Sequence, residues 1–311
     1  MLGFVLRRIS VAIPTILVII AIAFFMMRIA PGGPFDSERP MPEEIRETIE
    51  ARYGLDQPLW KQYVDYMGNL FQGDLGPSLK LRDKNVAEII GEGFPVSATI
   101  GLLSMTLAVF LGSLLGAIAA LRQNSSGDFA IMTFAMVGIS IPPFVMGPIL
   151  ALVFGLYMGL VPTGGLDPRF GMTPDRLILP VITLALPQIA IIARLMRASM
   201  IEVIRSNYIR TARAKGLSAP AVIVRHALRS AILPLVSYLG PASAAVISGS
   251  LVIERVFQLP GIGKHFVDAA LQRDYTVVMG VVIVYASLII LLNLLADLLY
   301  GVLNPKVKYE S

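Results

Sequence analysis

The sequence predicts an all-α integral membrane protein with six transmembrane helices and an external segment between the first and second helices. The chain has 311 residues, of which 55% are hydrophobic and 15% are charged, whereas a soluble domain carries about 25% charged residues. Its mean hydropathy is +0.72. The apolar residues form six uncharged runs, and each run can supply one helix of roughly 20 residues across a bilayer. These runs cover residues 9–27, 93–121, 129–166, 177–193, 230–253 and 275–296.

Two of the runs need comment. The first follows Arg7 and Arg8, but it is longer than the apolar part of a signal peptide and no small-residue cleavage site follows it, so we interpret it as a retained helix. The third run is too short for two spans with a turn, so it predicts one helix followed by an apolar loop from about Val161. Pro142 and Pro143 remove backbone hydrogen bonds and predict a kink in that helix.

Small residues spaced four apart predict close helix contacts within the membrane. Two such pairs are present, Gly112 with Gly116 and Gly155 with Gly159. Without side chains, these positions allow two helix backbones to approach each other.

The distribution of Lys and Arg predicts the topology. Residues 201–230 contain six Lys or Arg and one acid, Glu202, which places this loop in the cytoplasm under the positive-inside rule. Segments 122–128, 199–229 and 303–311 are then internal, segments 31–97, 158–176 and 254–274 are external, and both termini are cytoplasmic. The predicted organisation is a cytoplasmic N-terminus with the first helix (1–30), an external segment (31–93), a membrane core (94–303) and a cytoplasmic tail (304–311).

The long internal loop has the signals of two short helices joined at a glycine. Asn207 is expected to cap a helix over 208–215, and Gly216 is placed as the residue after its end. Ser218 is expected to cap a second helix, with Pro220 in its first turn. A positive anchor needs neither caps nor an elbow, so this segment predicts either docking to a cytoplasmic partner or attraction to anionic lipid. The apolar residues expected on this projection are Ile209, Ala212 and Leu217.

Sequence patterns for catalysis, metal binding and cofactor binding are absent. The chain has no cysteine and two histidines, His226 and His265, neither beside a metal-binding motif. The stretch GIGKH at 261–265 lacks the glycine spacing and the Ser or Thr of a phosphate loop. We therefore expect no catalytic or metal-binding residue and no ATP hydrolysis by this chain. The positive-inside rule accounts for its basic character without nucleic acid.

The external segment is predicted to contain two helices, which open at Pro42 and Pro58, followed by an extended stretch, GDLGPSL, at 73–79. This segment is expected either to cap the outer membrane face or to meet an external protein.

Six stretches, distributed along essentially the whole chain, carry a resemblance to a known family. They are FVLRRISVAIPTILVIIAIAFFMMRIAPGGPF at 4–35, GDLGPSL at 73–79, FPVSATIGL at 94–102, SMIEVIRSNYIRTARAKGL at 199–217, RHALRSAILP at 225–234 and VIERVFQLPGIGKHFVDAALQRDY at 252–275. Together they resemble the inner-membrane permease subunits of bacterial ABC importers of oligopeptides and dipeptides, and within that family the B subunits of oligopeptide permeases. Arg210, Thr211 and Ala212 stand where the wider superfamily has Glu-Ala-Ala, so a salt bridge of that glutamate is not expected here.

This resemblance implies the type I importer permease fold in the bacterial cytoplasmic membrane. It also implies a second homologous permease, two ATP-binding subunits that hold ATP and Mg, and an external peptide-binding protein. The chain would carry oligopeptides, or alternatively dipeptides or nickel chelates. A membrane-embedded enzyme and a passive channel are the rival classes. The residues implied to couple to the ATP-binding subunits are Ile209, Arg210, Thr211, Ala212, Arg213, Ala214, Lys215, Gly216 and Leu217.

The last external loop places apolar side chains around a turn. Such a loop is expected either to plug the external mouth of the pathway or to contact the docked binding protein. The candidate residues are Phe257, Leu259, Pro260, Gly261 and Phe266.

Overall fold

The structure is a computed structural model that describes residues 2–29, 32–35, 42–81 and 83–303, most of them in helices. The predicted tail 304–311 lies outside the described residues. In chain order the elements are α1 (Leu2–Ile29), α2 (Glu43–Arg52), α3 (Leu59–Phe71), α4 (Val86–Leu121), α5 (Ser126–Ser140), α6 (Pro143–Leu150) with a π-helical continuation (Ala151–Tyr157), α7 (Pro174–Ile204), α8 (Asn207–Ala214), α9 (Ala219–Ala221) with a π-helical continuation (Val222–Ala227), α10 (Leu228–Ala231), α11 (Leu233–Val256), α12 (Ile262–Gln272) and α13 (Tyr275–Leu303).

Within the described ranges, five helices are long and apolar enough to cross a membrane, namely α1, α4, α7, α11 and α13. The pair formed by α5 and α6 with its π-helical continuation supplies a sixth candidate, in which the chain bends by 103°. Counted in this way, the six candidates correspond to the six apolar runs of the sequence. The predicted all-helical membrane architecture is confirmed.

The third run differs from the single helix that the sequence predicted. Between α5 and α6, Ile141 has φ −102° and ψ 117°, and Pro142 has φ −57° and ψ 143°. Each of these residues precedes a proline, whose ring disfavours the helical conformation in the residue before it. Two consecutive prolines therefore hold two consecutive residues extended, and the expected kink becomes a complete break in the helix.

The described residues form two compact units. The larger unit comprises residues 97–259 and 289–303, and the smaller unit comprises residues 2–96 and 260–288. In the larger unit α7 is central, because α5, α6, α10 and α11 all pack against it. The most apolar part of α7 is 67% buried, compared with 11% for α1 of the smaller unit. Helix α7 is thus a core helix of its unit as well as a candidate span.

One of the two predicted small-residue pairs makes a close helix contact. A Cβ atom on Gly112 would lie 2.8 Å from the Cβ of Ile192, and one on Gly116 would overlap the carbonyl oxygen of Ala193, so α4 packs directly on α7. The second prediction is wrong. Gly155 lies against Thr163 of the following loop, and Gly159 has open space around it with φ +61°.

The smaller unit contains the helices that were predicted for the external segment. Pro42 and Pro58 occupy the N-cap positions of α2 and α3, as expected from their sequence signals. Residues 74–76 have no regular secondary structure, and Pro77 forms an isolated bridge with Asn85. An apolar cluster centred on Phe24 joins α1 to α3 and to the beginning of α13.

Candidate functional sites

The elbow in the basic loop is a Schellman motif at the end of α8. Gly216 has φ +79°, a left-handed conformation that glycine adopts at little cost. Its N–H donates to the carbonyl oxygen of Arg213 (2.9 Å), and the N–H of Leu217 donates to that of Ala212 (3.4 Å). These two bonds satisfy carbonyl groups that the helix end leaves free. The structure therefore has the elbow at the glycine that the sequence indicated.

The caps on either side of the elbow differ slightly from the prediction. Asn207 is the first residue of α8, and Ser206, with φ −71° and ψ 155°, is the N-cap instead. Ser218 does hold the N-cap position of the next helical stretch, with Pro220 in its first turn. Ser206 has the extended backbone of an N-cap residue. The observed helix therefore begins at Asn207, one residue before the predicted start at 208.

The apolar face of α8 points into the protein, which corrects part of the prediction. Ile209 is 0% exposed and Ala212 is 7% exposed. Both belong to a cluster with Met196 and Met200 of α7 and Ala120 of α4. Burying an isoleucine side chain contributes roughly 1.5–3 kcal/mol, so Ile209 anchors α8 to the ends of two candidate spans.

The other predicted coupling residues form the exposed side of the elbow. Leu217 keeps 41% of its surface exposed, whereas it was expected to share a surface with Ile209 and Ala212. Within the elbow, the exposed surface carries three basic side chains and no acidic one. Its residues are Arg210, Thr211, Arg213, Ala214, Lys215, Gly216 and Leu217.

A buried ion pair lies close to the elbow and was not predicted from the sequence. The guanidinium of Arg197 donates to both carboxylate oxygens of Asp128, with Nε–Oδ1 at 2.7 Å and Nη2–Oδ2 at 2.6 Å. Asp128 is 1% exposed and also accepts the N–H of Asn124 (2.9 Å). One indication of this site was present in the sequence, since the acidic residue Asp128 directly precedes the apolar run 129–166.

The two loops predicted to be internal lie at the same end of the larger unit. Arg197 of α7 binds Asp128 of the short loop region, and Nη2 of Arg205 donates to Oε1 of Gln123 (3.0 Å). A bidentate pair fixes both the distance and the orientation of its two partners. The loop before α5 is therefore held to the end of α7, from which the chain continues into α8 and the elbow.

At the other end of this unit, the two loops predicted to be external also meet. Phe257 is 1% exposed, and its carbonyl oxygen accepts the N–H of Gly165 (2.7 Å). Nη1 of Arg176 donates to the carbonyl oxygen of Gly164 (2.9 Å). Leu259 is fully buried. Phe257 and Leu259, two of the predicted gate residues, thus point into the protein in this conformation.

The remaining gate residues belong to the smaller unit. Gly261 is the buried N-cap of α12, the short helix predicted after the turn, while Pro260 and Phe266 are half-buried. A Cβ atom on Gly93 of α4 would lie 2.8 Å from the backbone nitrogen of Ile262, so α4 packs directly against the start of α12.

Asp274, which the sequence did not single out, binds the extended stretch to the start of α13. Its carboxylate is almost fully buried. It accepts hydrogen bonds from the hydroxyl of Ser78, from the N–H groups of Leu79 (3.1 Å) and Lys80 (3.2 Å) and from the hydroxyl of Thr276 (3.0 Å). The GDLGPSL stretch therefore lacks helix but has a fixed position.

These features define a class of protein. Within the described residues, six candidate spans, one of them broken, are typical of a multi-pass membrane protein. The larger unit has an exposed elbow at one of its ends and packed loops at the other. Sequence comparison identifies the family. Residues 112–309 match the family described as the inner membrane component of binding-protein-dependent transport systems, and residues 1–100 match the N-terminal region of such membrane components. The chain belongs to this family of inner membrane transport components.

Individual relatives match over the whole length. The chain is 48% identical to the oligopeptide transport system permease protein OppB of Haemophilus influenzae and to OppB of Escherichia coli K12, covering 99% of this chain and 100% of each relative. It is 42% identical to the dipeptide transport system permease protein DppB of Bacillus subtilis, covering 100% of this chain and 99% of that relative. The predicted family and the prediction of a transport subunit in the inner membrane are confirmed.

Proposed function

We propose that this chain is one of two permease subunits that form the pathway of an ATP-driven importer, and that it carries oligopeptides into the cytoplasm. The observation that supports this most is the elbow, which is anchored through Ile209 and presents a rigid, exposed surface. A passive channel would have no use for such a surface. In this proposal ATP and Mg bind to two partner ATP-binding subunits, and the chain itself only transmits movement.

Docking to an ATP-binding subunit accounts for the elbow better than attraction to anionic lipid. Lipid attraction needs positive charge near the bilayer but no defined shape. The elbow instead combines basic residues with a Schellman turn and an exposed apolar side chain, Leu217, at its tip. A groove on a folded partner recognises shape and apolar surface together, whereas a fluid headgroup layer does not.

Labelling of single cysteines tests this docking, since the chain has no native cysteine. Leu217→Cys should react with a maleimide in the isolated chain and be protected when the ATP-binding subunits are bound. Val224→Cys is the control, because Val224 is 63% exposed and lies on the following helical stretch, beyond the elbow. Equal reactivity at position 217 with and without the ATP-binding subunits would contradict the proposal.

The orientation with both termini in the cytoplasm is part of the proposal. It is supported by the meeting of the two predicted internal loops at one end of the larger unit. In intact cells, Ser126→Cys and Ser218→Cys should resist a membrane-impermeant thiol reagent, and Gln272→Cys should react with it. Ser78 is unsuitable as an external site because its hydroxyl is buried against Asp274. The reverse labelling pattern would invert the assignment of sides.

The oligopeptide cargo is supported by the 48%-identical relatives, which are oligopeptide permeases, and an external peptide-binding protein would deliver it. The 42%-identical relative is a dipeptide permease, so the test must separate the two cargoes. Cells that lack their own peptide permeases should regain uptake of peptides longer than two residues when they express the complete transporter. Recovery of dipeptide uptake alone would favour the second cargo.

We also propose that the last external loop closes the outer end of the pathway. The burial of Phe257 and Leu259 supports a plug more than a docking surface, since a binding protein cannot reach side chains in the interior. Leu259→Ser should raise ATP hydrolysis without binding protein or let small solutes leak through the reconstituted transporter. If only the stimulation by binding protein is lost, the loop is a docking surface.

A further inference from the structure

Helix α3 carries an apolar stripe that the fold leaves uncovered. Trp60, Val64 and Phe71 are 66%, 58% and 77% exposed. Their spacing of four and then seven residues places all three along one side of a helix with 3.6 residues per turn. The stripe extends over about 16 Å at 1.5 Å per residue. Gly68, which adds no side chain, lies beside it.

The rest of α3 is divided into two further sectors. One side packs against the cluster around Phe24 through Tyr63, Tyr66, Met67 and Leu70. Burial raises the pKa of the Tyr66 phenol to about 12. The opposite side carries the exposed polar residues Lys61, Asp65 and Asn69. The uncovered stripe therefore lies next to the packed side, and the two together form one wide apolar surface. The polar side chains lie on the opposite side of the helix.

Contacts with α1 fix the level at which α3 lies. The ring of Tyr63 is 5.2 Å from that of Phe24 and 5.4 Å from that of Phe25. Nε of Arg28 donates to Oε1 of Gln62 (2.9 Å). Phe24 and Phe25 are among the last four residues of the apolar run of α1, and Arg28 is the first charged residue after that run. Helix α3 thus crosses α1 where this span leaves the hydrocarbon.

Exposed apolar surface of α1 continues at the same level. Ile22, Met26 and Ile29 of α1 are 55%, 68% and 72% exposed, and a membrane-spanning helix offers such surface to lipid or to another subunit. Trp60, Val64 and Phe71 add aromatic and aliphatic surface beside this level, where tryptophan is enriched in membrane proteins. A wide apolar arc opposite a polar side is the pattern of a helix lying in the membrane interface.

We propose that α3 is an interfacial helix, lying at the boundary between headgroups and acyl chains, with Trp60, Val64 and Phe71 in contact with lipid. The segment between the first two spans is then partly membrane-embedded and does not consist only of a water-exposed domain. The level of α3 is set by its contacts with the end of the apolar run of α1, so the placement holds whichever side of the membrane this end of α1 occupies.

Trp60 provides a direct test because it is the only tryptophan in the chain. The full chain would be reconstituted in nanodiscs of phosphatidylcholine brominated at either a shallow or a deep acyl position. We expect blue-shifted emission, strong quenching by shallow bromine, weaker quenching by deep bromine and little quenching by acrylamide in the water. Quenching by acrylamide without quenching by bromine would overturn the proposal.

A second measurement separates lipid from a protein partner. Val64→Cys and the matched control Asn69→Cys would each carry a nitroxide spin label. We expect the label at position 64 to collide more with oxygen, which concentrates in lipid, and the label at position 69 to collide more with a water-soluble nickel chelate. If position 64 behaves like position 69 in the bilayer and changes only when purified peptide-binding protein is added, the stripe is a protein-docking surface and the proposal is wrong.

Discussion

Gly216→Val is expected to uncouple the transporter while leaving the membrane core intact. The backbone at Gly216 has φ +79°, and no atom lies within 4 Å of the position that a Cβ would take. The cost is therefore backbone strain alone, roughly 1–2 kcal/mol for a residue with a Cβ in this region. Since 1.4 kcal/mol corresponds to a factor of ten, the ratio of formed to opened elbows should fall about 5- to 30-fold if the strain is relieved by opening the turn.

Two substitutions make this experiment specific. Gly216→Asn should keep most of the function, because asparagine tolerates the left-handed conformation better than valine. Gly73→Val is the matched control. Gly73 ends α3 in the same Schellman motif with φ +81° and open space around it, but it lies far along the chain from the elbow.

The measurements are recovery of ATP-binding subunits in co-purification, peptide uptake, and the amount of permease in the membrane. Gly216→Val should lower the first two and leave the third unchanged, whereas Gly73→Val should leave recovery of the ATP-binding subunits unchanged. Normal uptake and normal association of Gly216→Val at normal expression would refute the role of the elbow.

Three further predictions concern stability, measured by thermal or denaturant unfolding of the purified chain. Arg197→Ala should cost about 3 kcal/mol, the lower end for a broken buried pair because its side chain is 28% exposed. Lys84→Ala breaks a pair that is exposed on both sides and should have a much smaller effect. Burial holds the pKa of His265 below its ordinary 6.5. As the pH drops through 6.5, the His265 imidazole is protonated more readily in the unfolded chain than in the folded one, so the stability of the fold should decrease. His265→Gln should remove this pH dependence of stability. Gly116→Ala should cost roughly 1–3 kcal/mol because its methyl group would overlap the α7 backbone, whereas Gly101→Ala, whose Cβ would meet its nearest neighbour at 3.9 Å, should be tolerated. Equal effects within the first or the last pair, or an unchanged pH slope in His265→Gln, would contradict the respective reasoning.

Local signals in the sequence were sufficient for the elements that depend on the backbone. Apolar runs located the candidate spans because a helix buried in lipid must be apolar along its whole length. Gly216, Ser218, Pro42 and Pro58 located helix ends because each of these residue types suits the backbone of a helix terminus. The sequence also located the break at Pro142. It did not predict the bend angle, because the same pair of prolines is compatible with a kinked helix and with a complete break.

Features that depend on distant contacts were not predictable in this way. The pairing of Asp128 with Arg197, and the bonds of Asp274 to residues 78–80, join positions far apart in the chain, and a single sequence does not show which distant residues meet. The direction of Ile209 was missed for the same reason. An apolar residue in a basic loop is equally consistent with a docking surface and with an anchor until its neighbours are known.

The two sides of α8 have separate roles in the proposed docking. Ile209 and Ala212 hold the helix to its own chain, while the exposed side chains available to another subunit lie on the opposite side of the same short helix and just after its end. Under the proposed docking, exchanging only Arg210, Thr211 and Lys215 for their counterparts in a second permease is expected to redirect the chain to the foreign ATP-binding subunit without disturbing the membrane core. In that proposal, a transporter of this kind would acquire a new ATP-binding subunit through a few surface substitutions while its pathway stayed as it was.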